Sequence, residues 1–389
     1  MISYNFDEII DRRGTGAVKT DILPERYGRT DLIAMWVADM DFRCGDFITD
    51  ALKKRCDEGV FGYPMPSETY YQSIIQWVEN HHGWKIEKEW LSYIPGIVRG
   101  ISFVVMNFTA PNDKIIIQPP VYYPFRTTPE MLGRKVINNP VIEENGKHRM
   151  DLDGLRRLID KDCKVLILAN PHNPIGITWD EETLKELAAI CYEKQILVIA
   201  DEIHSDMALF RHKYIPFATV SEQAKYNSIT FMAPSKTFNI AGLVSSYAII
   251  PDEKIRKSFY HFLHAGELDE GNIFAYIAAE SAYTHGEEWR KQMLRYVEEN
   301  ILFVDDYLKK NIPQIRCIIP EASFLVWFDC RKLALNQEEL NHLFVHKAGL
   351  ALNDGEIFGE GGTGFMRMNV GCPRAIVVQA LEQLKRAIG

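Results

Sequence analysis

Among the residues able to do chemistry in this chain, Lys236 comes first, because it is the sole charged residue in the stretch FMAPSKTFNIAGL (231–243). Its small and apolar neighbours, including Phe238, Ile240, Gly242 and Leu243, imply packed surroundings. A desolvated lysine loses its proton more readily than one in water. Only the neutral amine attacks a carbonyl, so this setting suits Schiff-base chemistry. A lysine at a loop bend that simply reaches water fits the same residues. Asp201 follows the apolar run 196–200, so its carboxylate emerges at the C-terminal end of a buried strand, where ligands of open α/β sheets bind. A helix cap or a buried ion pair would use an aspartate equally well. Asn173 lies in NPHNPIG (170–176), just after another apolar run and stiffened by two prolines, which is also the composition of an ordinary turn. Ile97 and Val98 open an apolar run behind Pro95-Gly96 and bring backbone N–H groups able to receive a phosphate, a property of every helix start. Tyr122 and Tyr123, just after Pro119-Pro120, offer aromatic faces near a further strand end, or core packing.

These side chains need strand ends and helix starts to hold them. Phe47, Ile48, Ala51, Leu52 and Cys56 recur at helical spacing, which predicts a helix over 46–58 with Asp46 as its N-cap and Gly59 closing it. A turn fits 61–64, a helix fits 67–80, and the apolar run 97–108 is long enough for a buried helix. Strands are expected at 32–37, 114–118, 165–169, 196–200 and 227–232, with helices at 121–132, 152–159 and 181–193. Strands alternating with helices indicate a parallel sheet covered on both faces. The runs 165–168 and 196–199 show no period-two alternation, as expected of strands buried on both faces. Beyond Lys236 the pattern predicts a strand at 243–250 and a broken helical region over 251–310 with a long helix from Glu287. Strands at 315–319, 324–328 and 365–370 and helices at 337–347 and 374–388 follow. The expected fold class is α/β: a large domain over 46–285 with a mostly parallel sheet, and a smaller α+β domain over 286–389. Residues 1–45 form an N-terminal arm and part of the small domain.

Composition excludes several classes. A chain of 389 residues with 47% hydrophobic and 25% charged residues has the profile of an ordered, multidomain globular protein. A net charge of -9 and the lack of any basic run interleaved with aromatics argue against nucleic acid. The seven cysteines are odd in number, widely spaced and never in a C-x-x-C pair, which argues against a disulfide framework or a zinc site, and no metal is expected. The N-terminal residues lack a basic segment followed by an apolar one, and no run of 18 apolar residues occurs. Neither secretion nor a membrane span is therefore expected, and a cytoplasmic location is. GEGGTG (359–364) satisfies G-x-G-x-x-G but precedes the strand-like FMRMNV. A dinucleotide loop must instead follow a strand and open a helix, so this one is read as a glycine-rich surface loop.

Taken in order, PGIVRG, PPVYYPF, NPHNPIG, ADEIHSD, APSKTFNIAGL and FMRMNVGCP resemble the fold-type I pyridoxal-phosphate enzymes over almost the whole chain. MWVADMDF, DEIHSD and SKTFNIAG further resemble the branch of carbon–sulfur lyases that includes cystathionine β-lyase and cystalysin, relatives of the aminotransferases. The resemblance implies a PLP-dependent transferase-like fold with a seven-stranded type of sheet, and pyridoxal 5'-phosphate (PLP) as cofactor. It implies that Lys236 forms the Schiff base and shuttles the substrate α-proton, and that Asp201 pairs with the pyridinium nitrogen. Asn173 and His204 would face the phenolic oxygen, Tyr122 would stack on the ring, and Ile97, Val98 and Ser235 would receive the phosphate. Arg367 would bind the substrate carboxylate, with Tyr123 a catalytic candidate on the substrate side. A homodimer is implied, in which Tyr63 reaches the phosphate of the neighbouring site. One position departs: many aminotransferases carry an arginine eight residues after the lysine, where this chain has Val244, a gap shared by the lyase branch. The implied reaction is β-elimination from a cysteine-type amino acid, giving a thiol, pyruvate and ammonia. Transamination, and a cofactor-loaded protein acting through protein contacts, are the other readings.

Overall fold

The computed structural model describes residues 3–144 and 147–389. Seven strands make its large sheet: β1 (Leu91–Ile94), β2 (Lys114–Ile117), β3 (Lys135–Asn138), β4 (Cys163–Ala169), β5 (Leu197–Asp201), β6 (Ser228–Met232) and β7 (Ser246–Ile249). Their order is β1-β7-β6-β5-β4-β2-β3. β7 runs antiparallel to both its neighbours, and every other pair is parallel. Every residue of β5 and β6 is buried, which accounts for apolar runs without alternation. On one face Ile115, Ile167, Ile199 and Phe231 pack with Ile101, Val104 and Val105 of α1 (Ile97–Phe108). On the other, Ile116, Leu166, Leu168 and Val198 pack with Leu184 and Leu187 of α2 (Glu181–Glu193).

A second sheet, β8 (Arg316–Ile318), β9 (Leu325–Asp329), β10 (Asn353–Asp354) and β11 (Phe365–Asn369), is antiparallel with order β8-β9-β11-β10. Val326, Phe328, Met366 and Met368 from it share one core with Val297, Ile301 and Val304 of the long helix α3 (Glu287–Asn311) and Leu381 of α4 (Arg374–Ile388). Phe6, Met35 and Met40 of the N-terminal segment join the same core.

Several expectations are corrected. Only Ile33–Ala34 of the strand expected at 32–37 forms, paired in parallel with Leu350–Ala351. The helix expected from 121 begins at Pro124, because the Val121 and Tyr122 amides donate instead to Phe358 O and Asn173 O, at 2.8 and 3.0 Å. The strand expected from 243 begins at Ser246, since Ala241–Leu243 make a 3-10 turn and Val244 takes a left-handed conformation with φ 50. Gly45, not Asp46, is the N-cap of the helix Asp46–Asp57, and Asp46 lies in its first turn, where a carboxylate suits the helix dipole. The helix expected over 337–347 is Gln337–His342 continued by a π turn over Leu343–Lys347. β1 and β3 lie at the two edges of the large sheet and were not anticipated. Gly359, Gly361 and Gly364 have φ of 91, 83 and 82 in the loop before β11, where added Cβ atoms at Gly359 and Gly361 would press on Pro119 and Pro120. All seven cysteines are free, five of them buried, with Cys44 half-buried and Cys56 exposed. Among the described residues no helix is long and apolar enough to cross a membrane.

Candidate active site

The C-terminal ends of β4, β5 and β6 meet the start of α1 around a cavity of about 330 Å³. Its wall carries Ile97, Val98, Tyr122, Asn173, Asp201, His204, Ser235 and Lys236, together with Ala38 and Val244. Lys236 follows β6 in a tight turn, closed by Phe238 N to Pro234 O at 2.9 Å and Ile240 N to Ser235 O at 3.0 Å. Thr237 and Phe238 are fully buried, so the turn leaves the half-buried lysine on the cavity wall. Its Nζ donates to Ala38 O at 2.6 Å. Burial pushes the amine down to about 8, against the pull of Asp39, while the Arg367 cation adds to the shift.

Asp201 ends β5, with Oδ1 accepting from the Ile203 amide at 3.2 Å. Burial raises its carboxyl to about 7, with that amide and Lys236 acting the other way. Among the described residues it has no ion-pair partner, and the next helical turn, Ser205–Met207, has His204 as its N-cap, so neither the ion-pair nor the cap reading holds. Arg367 of β11 is 3% exposed. Its Nη1 donates to Asn173 Oδ1 and its Nη2 to Trp36 O, both at 2.9 Å, and its guanidinium lies 4.9 Å from the Phe358 ring centroid. Its Nε has no partner, and burial lowers the group to about 10. A buried cation held by neutral acceptors alone is equipped to take a carboxylate. His204 is buried with Nδ1 unpartnered, and burial with the Lys236 and Arg367 cations drives it to about 3, so its ring is neutral.

Ile97 and Val98 start α1 behind Gly96, whose φ of 118 favours glycine and which supplies no side-chain cap. The first-turn N–H groups are therefore left for a ligand. Tyr122 is half-buried, its phenol raised to about 12 by burial. Tyr123 is 43% exposed, its ring 5.2 Å from that of Tyr122, and lies off the cavity wall. Tyr63 is fully exposed, in a run with Val60, Phe61 and Met65, and also lies off this wall.

Sequence reasoning missed the part played by backbone carbonyls of residues 36–40. Trp36 O receives Arg367 and Asn353, Val37 O and Asp39 O receive Asn369, Ala38 O receives Lys236, and Met40 O receives Asn239. Five consecutive carbonyls thus form a strap from which both Lys236 and Arg367 hang. The only signal available was the three asparagines, which resemble ordinary polar residues until the strap is seen.

This donor set fits PLP: an unpaired carboxyl for a ring nitrogen, a lysine of lowered proton affinity, an aromatic face, an unpartnered imidazole nitrogen and an uncapped helix start. Fold and site together define a PLP-dependent enzyme. The chain belongs to the aminotransferase class I and II family, whose model matches residues 39–384. It is 41% identical over 385 residues to cystathionine β-lyase PatB of Bacillus subtilis (strain 168), covering 99% of this chain and 100% of that one. The crystal structure of cystalysin from Treponema denticola, which contains pyridoxal 5'-phosphate, matches with a TM-score of 0.96 at 32% identity and 99% coverage of each chain. The PLP-bound C-S lyase from Staphylococcus hominis matches with a TM-score of 0.91 at 32% identity, over 100% of this chain and 98% of that one.

Proposed function

We propose that this protein is a PLP-dependent carbon–sulfur β-lyase that cleaves a cysteine-type amino acid, such as cystathionine, cystine or cysteine, into a thiol, pyruvate and ammonia. The observation that carries this reading is the full-length likeness to PatB, supported by the lyase structures from Treponema and Staphylococcus. Bound PLP supplies a carbonyl for the substrate amino group and a protonated ring that accepts the electron pair left at the α-carbon. Arg367 takes the substrate carboxylate in a two-pronged grip. Lys236, released from Ala38 O, removes the α-proton as a neutral amine, which its lowered proton affinity favours. The bond between the β-carbon and sulfur then breaks with its electrons passing to sulfur, and hydrolysis of the remaining three-carbon fragment gives pyruvate and ammonia. Asp201 would ionise beside the ring nitrogen and keep the proton there. Asn173 and the neutral His204 would face the phenolic oxygen, Tyr122 would cover the ring face, and Ile97, Val98 and Ser235 would hold the phosphate. Tyr123 stands toward the substrate side.

The exposed Val60, Phe61, Tyr63 and Met65 support a homodimer in which Tyr63 meets the neighbouring phosphate. Seven free cysteines support a reducing, cytoplasmic location. The two separate sheets support a PLP-binding unit over 46–285 and a smaller one over 286–389, with the arm 1–45 lying against the latter.

The test is to incubate PLP-loaded protein with each candidate substrate and measure thiol and pyruvate, with and without an added 2-oxo acid. Thiol and pyruvate in its absence are expected. Strict dependence on the 2-oxo acid without ammonia release would make the protein an aminotransferase, and no product from any of the three would sink the lyase reading.

A further inference from the structure

We propose that Arg99 supplies the positive charge for the cofactor phosphate that residue 244 does not, a role that rests on PLP occupying this cavity. Val244 brings no charge, and its backbone is turned away from the strand by its φ of 50. Its carbonyl accepts from Tyr93 Oη at 2.9 Å. Arg99 lines the same cavity as Val244, Ile97, Val98 and Ser235. It is the third residue of α1, and its Nη1 turns back to donate to Pro95 O at 2.6 Å, just before the helix start. Burial raises the Tyr93 phenol to about 12, and the Arg99 cation works against that shift.

The position is unfavourable without a ligand. A cation in the first turn opposes the positive end of the helix dipole. The first turn contains no acidic residue, and among the described residues no carboxylate pairs with Arg99. A doubly charged phosphate between the first-turn N–H groups and the guanidinium removes the conflict. A residue that breaks a local rule at the rim of a binding site is expected to serve that site. Arg99 thus reaches the phosphate from the helix side, where the segment after the lysine brings only Val244.

The experiment compares the full chain with Arg99→Gln and Arg99→Lys, measuring affinity for PLP and for pyridoxal, which lacks the phosphate, by visible absorbance. Thermal melts of the cofactor-free proteins run alongside. Arg99→Gln is expected to weaken PLP binding about tenfold or more, the range of a lost charge-assisted bond, while pyridoxal affinity hardly changes. Arg99→Lys should lose less. The cofactor-free Arg99→Gln protein should melt no lower than wild type, because the substitution relieves the dipole conflict. Unchanged PLP affinity, or an equal loss for PLP and pyridoxal, would overturn the role. If wild type bound no PLP, both this proposal and the functional reading would fall. With PLP bound but no lyase activity, the reaction would fall and Arg99 would stand.

Discussion

Asp201 and His204, neighbours on the cavity wall, respond to pH in opposite senses in the cofactor-free protein. Asp201 has its carboxyl raised from 3.8 to about 7. Between those values the unfolded chain has released a proton that the folded chain keeps, so this group's contribution to stability falls as pH rises from about 4 to 7. His204 is lowered from 6.5 to about 3. Over that window the unfolded chain binds the extra proton, and stability rises with pH. The two slopes oppose one another, so wild type alone conceals both. Asp201→Asn is therefore expected to melt above wild type without PLP, by an amount that grows from pH 4 to pH 7 and reaches on the order of 2 kcal/mol. With PLP the same substitution should weaken retention and turnover, and melts with and without cofactor across pH check both signs. That Lys236, Asp201 and Asn173 come to one cavity wall was legible in the sequence because each lies within, or one short turn beyond, an apolar run that forms a buried strand. The strap was not, because a carbonyl has no residue type. Arg367 was legible only through resemblance, its buried setting depending on Trp36, Asn173 and Phe358 from distant parts of the chain.

At the scale of elements, the loop bearing Asn173 is fixed by its last glycine. Gly176 has φ 80, and its carbonyl accepts from the amides of Glu321 and Ala322 at 2.7 and 3.0 Å. A Cβ there would lie 2.5 Å from Pro320 Cβ. Gly176→Ala combines a left-handed backbone with a clash, which predicts a loss of about 2–4 kcal/mol. Because Asn173 Oδ1 holds Arg367, a rise in substrate KM should accompany it. Denaturant unfolding and steady-state kinetics read the two effects. The buried strands and long helices were legible because continuous apolar runs and helical periodicity are local signals. The start of the helix at Pro124 was not, since its determinants are partners some 50 and 230 residues away, Asn173 and Phe358. The edge strands β1 and β3 were missed because neither carries a continuous apolar run: Ser92 interrupts the first, and Lys135 and Asn138 bound only two apolar residues in the second.

For the whole molecule, the alternation of strands and helices was enough to indicate the α/β class, but not how the N-terminal segment closes onto the rest. Phe6, Met40, Met368 and Leu384 share one core, an association that no local pattern announces. The exposed apolar run at residues 60–65, with Tyr63 fully accessible, is the surface on which the proposed dimer is tested. Sedimentation should show a dimer. The pair Phe61→Ser and Met65→Ser should shift it toward monomer and, on the proposed reach of Tyr63 to the neighbouring phosphate, speed PLP loss on dilution. A dimer that persists with unchanged PLP retention would show that this run lies outside the interface.

The strap also gives the protein an optical gauge of its own occupancy. Trp36 is buried, its indole Nε1 donates to Lys19 O at 3.0 Å, and the Arg26 guanidinium lies 4.5 Å from its ring centroid. Its carbonyl accepts from Arg367, the residue proposed to take the substrate carboxylate. Titration with an unreactive amino-acid analogue should therefore change the emission of this tryptophan, and the change should vanish in Trp36→Phe. Binding could then be followed in the dark interval before any thiol appears, with no label attached.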